Sequence, residues 1–210
     1  MSEKPILFSA PMVRAILDGR KTMTRRVALP RHDDKTPCEH WEPSQDRTCM
    51  QRHCEHGSEG LYSKYGSNGD RLWVKETFAC GSDSWVPHGN WKDGASAEII
   101  YVSDESRKCQ PCNRDQYRWW SKHSGRNHGK GNMPSIYMPR WASRITLEIV
   151  SVHAERLRDI TEPDAVAEGI EGPSDTPFCL GDCRTAYGKF HELWDSINAE
   201  RGFGWDVNPF

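Results

Sequence analysis

The stretch KPILFSAPMVRAILDGRKTMTRR, Lys4 to Arg26, decides how the chain begins to fold. Pro5 to Ala10 reads as a short first strand. Pro11 then suits a first helical position, where a missing N–H costs nothing, with Ser9 or Ala10 near the cap. Val13, Ile16 and Leu17 fall at i, i+3 and i+4 and make one apolar stripe, so a short helix is predicted. Gly19 suits the position just past its end. The basic run GRKTMTRR therefore starts where the helix stops and the chain turns outward.

Further along, 29–68 loses periodicity and fills with Pro, Asp, Gly, Ser, Cys and His, which reads as an insertion or long loop. GDRLWVKETFA (Gly69 to Ala79) restores order after a Gly-Asp turn. Leu72, Val74, Glu76 and Phe78 alternate with Trp73, Lys75 and Thr77, the period of a strand. AEIIYVS (Ala97 to Ser103) reads as another strand, and 104–134 as a second polar insertion containing CQPC and YRWW. Arg144 to Val152, rich in β-branched residues, is predicted as a long strand. DITEPDAVAEGI carries a helix start, with Thr161 as cap and acidic residues in the first turn. RTAYGKFHELWDSIN is the clearest helix, with Tyr187, Phe190, Leu193, Trp194 and Ile197 expected on one face. Strands interspersed with short helices point to an α+β fold: a small β-barrel or curled sheet with flanking helices, in one domain over 1–210.

With 210 residues the chain can bury one sizeable core. Nine tryptophans argue against disorder despite a mean hydropathy of −0.81. A net charge of −2 means that any affinity for nucleic acid must come from a local basic patch. No apolar run approaches the ~18–20 residues that span a bilayer, and MSEKPILFSA lacks the signal-peptide pattern. A cytoplasmic protein is expected, without a membrane partner. In a reducing compartment its eight cysteines read as metal ligands or buried thiols, not disulfides.

Three constellations carry possible chemistry. In GRKTMTRR, the bland alternative is a solvated basic surface; the other is a site for an anionic or nucleotide-like ligand, since arginine forks suit phosphate. Like-charge repulsion from Arg20, Arg25 and Arg26 favours the neutral form of Lys21 and lowers its pKa. Such a lysine can act as general base for the Thr24 hydroxyl. A regular strand would send the two side chains to opposite faces, so the pairing requires a turn or bulge. In MPRWASR, Arg140, Trp141 and Arg144 interleave cations with an aromatic, as base stacking and phosphate binding require; a core Trp141 with rim arginines is the alternative. Cys109 and Cys112 have the spacing of half a structural zinc site. Cys38, Cys49 and Cys54, with His40, His53 and His56 nearby, can supply the rest; Cys179 and Cys183 can join them or form another partial site. No HExxH, glycine-rich phosphate loop or G-x-S-x-G elbow occurs. Nothing local raises Glu76 or Glu168 above surface residues.

KPILFSAPMVRAILDGRKTMTRR, GDRLWVKETF, MPRWASRITLEI and DITEPDAVAEGI together resemble the ASCH domain family of the PUA-like superfamily, notably its phage- and prophage-type members. The resemblance covers about 4–27, 69–80 and 135–200 and leaves both Cys/His-rich insertions outside it. The family pattern G-x-K-x-x-T-x-R falls on Gly19, Lys21, Thr24 and Arg26. Some small members are amidohydrolases that remove the acetyl group of N4-acetylcytidine. The resemblance assigns their catalytic lysine, threonine and glutamate to Lys21, Thr24 and Glu168, and implies no cofactor for catalysis. It also implies a nucleoside or RNA partner, because other members bind or cut RNA without this chemistry. Relatives of this type continue past WDVNP into a further strand, whereas this chain stops at Phe210, so an open sheet edge is expected to need cover.

Overall fold

A computed structural model of the chain describes residues 2–28, 42–43, 50–54, 57–61, 63–80, 96–111, 113–116, 118–119, 132–172 and 185–210. Among them, nine strands form three three-stranded sheets beside a few helices, so the fold is mixed α+β. The described strands do not close into a barrel. No described helix is long and apolar enough to cross a membrane.

The chain divides into two compact units. One, the sheet unit, comprises Glu3–Arg14 and Leu72–Leu147; the other, the helical unit, takes Ala15–Arg71 and Glu148–Phe210 together with Ser2.

In the sheet unit, β1 (Glu3–Leu7) leads into α1 (Ala10–Leu17), the strand and helix that the opening stretch predicts. β5 (Arg71–Lys75) lies between β1 and β9 (Thr146–Glu148). The predicted alternation is real: Leu72, Val74, Glu76 and Phe78 are all buried. It is carried by two strands, however, because the chain leaves β5 at Glu76 and resumes as β6 (Phe78–Cys80). β6 pairs antiparallel with β7 (Ser96–Tyr101), and β7 with β8 (Arg107–Pro111). Phe78, Ile99, Tyr101, Met133, Met138 and Ala142 form the core of this unit, with Trp119 and Trp141 packed on it. The strand predicted over Arg144 to Val152 is only three residues long; on its near side Ile145 still accepts a bond from the Val74 N–H at 3.0 Å.

The helical unit holds β2 (Glu42–Pro43), β3 (Met50–Cys54) and β4 (Gly57–Leu61), an antiparallel meander within the stretch read as an insertion or long loop. The core lies elsewhere, between α2 (Glu162–Ala167) and α3 (Ala186–Asn198). Thr161 caps α2 in a reciprocal box with Asp164, as its sequence predicts. Glu162 then accepts the first N–H groups of α3, from Ala186 at 2.6 Å and Tyr187 at 2.9 Å, which ties the two helices at their N-terminal ends. Phe190 and Trp194 face inward with Ala186 and Asn198, packing with Leu157, Ile160, Ala165 and Trp205. Ile197, expected on this face, is half exposed; the buried stripe runs one position further, through Asn198.

Candidate functional site

The basic run GRKTMTRR lies in the helical unit and forms neither helix nor strand over 20–28. Gly19 adopts φ +72°, the left-handed conformation expected just past a helix end. The N–H groups of Arg20 and Lys21 then both bond back to the Ala15 carbonyl at 2.9 Å. Two residues on, Thr22 and Met23 donate to the Ala167 carbonyl at the end of α2, at 2.8 and 2.9 Å. The run is thus pinned between the C-terminal ends of two helices.

This pinning drives the Lys21 side chain into the unit. Its ammonium donates three hydrogen bonds: to the Met23 carbonyl at 2.8 Å, the Glu168 carbonyl at 2.7 Å and Glu168 Oε2 at 2.8 Å. A lysine on the last carbonyls of a helix is a favourable C-terminal partner. Both side chains are almost wholly out of water, at 2% exposure for Lys21 and 5% for Glu168. Gly169 makes room for them: it has φ +90°, and a Cβ there would stand 2.9 Å from the Ala15 Cβ and 3.0 Å from the Lys21 Cβ.

Burial pushes the Lys21 ammonium below the usual lysine range. The charge and hydrogen bond of Glu168 pull it back up, and Arg26 and Arg25 add smaller pushes downward. The direction matches the sequence expectation, but the chief cause is loss of water and not the neighbouring arginines.

Arg25 completes the site. Its Nη2 reaches Glu155 Oε2 at 3.4 Å and Asp164 Oδ2 at 3.3 Å, and its Nη1 stands 3.7 Å from Glu168 Oε1. That last separation is too long for a hydrogen bond. Arg25 Nη1 and Glu168 Oε1 are both buried, and among the described residues neither has a hydrogen-bond partner. Glu168 therefore uses one carboxylate oxygen on Lys21 and keeps the other unbonded.

Thr24 follows on the same irregular backbone and is exposed. Arg26 is exposed too and donates to the Arg25 carbonyl at 2.9 Å. Arg20 is held by Asp18 at 3.0 Å, with a longer bond to the Gly169 carbonyl at 3.4 Å.

The second basic element lies in the sheet unit. Arg140 is bidentate to Glu3, at 3.0 and 2.6 Å. Arg144 is bidentate to the fully buried Glu76, at 2.9 and 3.0 Å. It also grips Asp104 at 2.9 and 3.0 Å, and its guanidinium sits 4.0 Å over the Tyr101 ring. Ser103 donates to Glu76 Oε2 at 2.6 Å and accepts from Arg144 at 2.8 Å. Arg144 holds the Asp104 carboxyl down to about 2, while burial pushes the Tyr101 hydroxyl up to about 12. Trp141 is half-buried against the core of this unit, edge-on to Trp119 with ring centroids 5.8 Å apart.

Of the proposed metal ligands, Cys38, Cys49 and Cys112 lie outside the described residues, as do His40, His56, Cys179 and Cys183. Cys54 ends β3, and Cys109 is exposed on β8. No group of three metal-binding side chains occurs among the described residues.

Sequence reading missed the burial of both glutamates. The signal was there: Glu76 occupies the apolar register of the Leu72–Phe78 alternation, and Glu168 falls three residues after the fully buried Ala165. Glu155 and Asp104 carried no such signal.

No protein-family model, curated protein or solved structure matches this chain.

Proposed function

We propose that the chain is a nucleoside- or RNA-directed protein of the ASCH type on a PUA-like scaffold. In its most concrete form it is an amidohydrolase that removes an acyl group from a modified nucleoside such as N4-acetylcytidine. The observation that carries this reading is the buried Lys21–Glu168 pair, 2.8 Å apart; the ASCH resemblance assigns a catalytic lysine to the first position through its motif and a catalytic glutamate to the second through the helix that follows the last strand.

The pair supports a mechanism in which no outside base is required. Lys21 begins as an ammonium with all three N–H groups bonded. Passing one proton to Glu168 Oε2 converts a buried ion pair into a neutral amine and a carboxylic acid, a form that burial favours over separated charges. The free amine then takes the proton of Thr24 as its oxygen attacks the acyl carbon. The C–N bond breaks as Glu168 gives its proton to the departing nucleobase amine. Water hydrolyses the Thr24 ester to release the acid and restore the hydroxyl. Arg26, exposed and two residues after Thr24 in the chain, would hold a phosphate or the developing oxyanion.

A non-catalytic RNA binder would instead use Arg25, Arg26, Arg140 and Arg144 to hold phosphates. Arg25, Arg140 and Arg144 are engaged by carboxylates, which favours the hydrolase reading. A structural zinc on Cys109 and Cys112 with Cys38, Cys49 or Cys54 belongs to the same proposal; less than one zinc per chain in protein purified without chelator ends it.

The test is acetate release from N4-acetylcytidine by the wild-type chain and by Thr24→Val. The wild type is expected to turn over, and the variant to lose on the order of 10³-fold or more while still binding nucleoside. A wild-type chain that binds nucleoside and releases no acetate makes it a binder.

A further inference from the structure

Arg25 belongs to neither the family motif nor the chemistry described above, yet its Nη1 stands 3.7 Å from Glu168 Oε1, while Lys21 bonds to the other oxygen, Oε2. Its contacts are unusual for a guanidinium among three carboxylates. None is a short fork: the distances are 3.3 Å to Asp164, 3.4 Å to Glu155 and 3.7 Å to Glu168. A single carboxylate would draw it into a bidentate pair at about 2.8 Å. Here two of the three partners are also held elsewhere. Asp164 Oδ2 accepts the Thr161 N–H at 3.0 Å as the N-terminal box of α2, and Glu168 Oε2 is taken by Lys21.

We infer that Arg25 is a positioning residue: shared among Glu155, Asp164 and Glu168, its charge faces the unbonded Glu168 oxygen and sets how readily Lys21 gives up its proton. This role for Arg25 rests on reading the Lys21–Glu168 pair as the reacting centre. Lys21 is flanked by Glu168 from α2 and by Arg25 and Arg26 from its own segment; Arg25 in turn faces Glu155 and Asp164. The sum is three cations against three carboxylates in one cluster. Removing Arg25 leaves two cations against three carboxylates, which strengthens the hold on the Lys21 proton. Removing the charge of Glu155 does the reverse, because it leaves the Arg25 charge less compensated. Burial makes both effects larger than in water.

The test is a pH titration of the full chain labelled with ¹³C-lysine, following the Lys21 ¹³Cε signal assigned by its loss in Lys21→Arg. It needs no substrate. Arg25→Gln is expected to raise the Lys21 midpoint by about one pH unit, tenfold in proton affinity, and Arg25→Lys to leave it near the wild-type value. Glu155→Gln, at a partly exposed position, is expected to lower it. A midpoint unmoved by Arg25→Gln overturns the inference. Should Arg25→Gln not fold, Glu155→Gln decides alone: a lowered midpoint supports the role and an unmoved or raised one overturns it. Acetate release measured on the same samples bears only on the hydrolase reading, so the two can fail separately.

Discussion

Lys21 Nζ and Glu168 Oε2 stand 2.8 Å apart inside the helical unit, although 147 residues separate them in the chain. The energetics of such a pair are lopsided. Taking both charges out of water costs about as much as their attraction returns, yet losing either partner strands the other. Glu168→Leu or Lys21→Met alone is expected to destabilise the chain by ~3–5 kcal/mol in urea unfolding. The double variant Lys21→Met/Glu168→Leu should recover most of that loss. Single variants that lose less than about 1 kcal/mol would mean that the pair is not buried in solution.

Gly169→Ala tests how that pair is seated. The backbone there has φ +90°, and an added methyl would meet Ala15 and Lys21 at 3.0 Å or less. Backbone strain alone costs ~1–3 kcal/mol, and the two Cβ contacts add to it. Thermal unfolding of Gly169→Ala should show the loss, whereas Gly19→Ala, with the same sign of φ but nothing within 4 Å, should lose less.

Arg144 is predicted to be a keystone of the sheet unit. Its guanidinium donates two charged hydrogen bonds to Glu76, which is 1% exposed. Arg144→Met should cost ~3–5 kcal/mol, because an ionised carboxylate is left without its cation. Pairing that change with Glu76→Leu should restore much of the stability, read from urea midpoints.

The same network gives an acid dependence with a definite sign. Arg144 holds folded Asp104 at about 2, below the 3.8 of an unperturbed aspartate. The folded state therefore binds its proton less readily than the unfolded chain. The stabilisation is fully present above pH 3.8 and is lost as pH falls through about 2. Asp104→Asn should flatten the fall of stability between about pH 4 and 2. An unchanged acid limb in that variant would show that Arg144 does not hold Asp104 in solution.

Much of the local structure was legible in the sequence, because its causes are local. The stop at Gly19, the Thr161–Asp164 box, the α3 helix and the Leu72–Phe78 alternation each depend on residues within one turn or one strand of each other. The GRKTMTRR run is irregular from the helix stop at Gly19 onward, as that stop predicts.

What the tertiary structure alone decided is which charges meet. Sequence spacing crowds Lys21 among arginines and predicts that they strip its proton; the folded chain buries the ammonium against Glu168 instead, and burial becomes the larger influence. Likewise Arg140 and Arg144 read as free cations until the fold brings Glu3, Glu76 and Asp104 to them across 137, 68 and 40 residues. Hydrophobic period and caps act through bonded neighbours, so one dimension suffices to find them. An ion pair acts through distance and dielectric, and both exist only once the chain has folded.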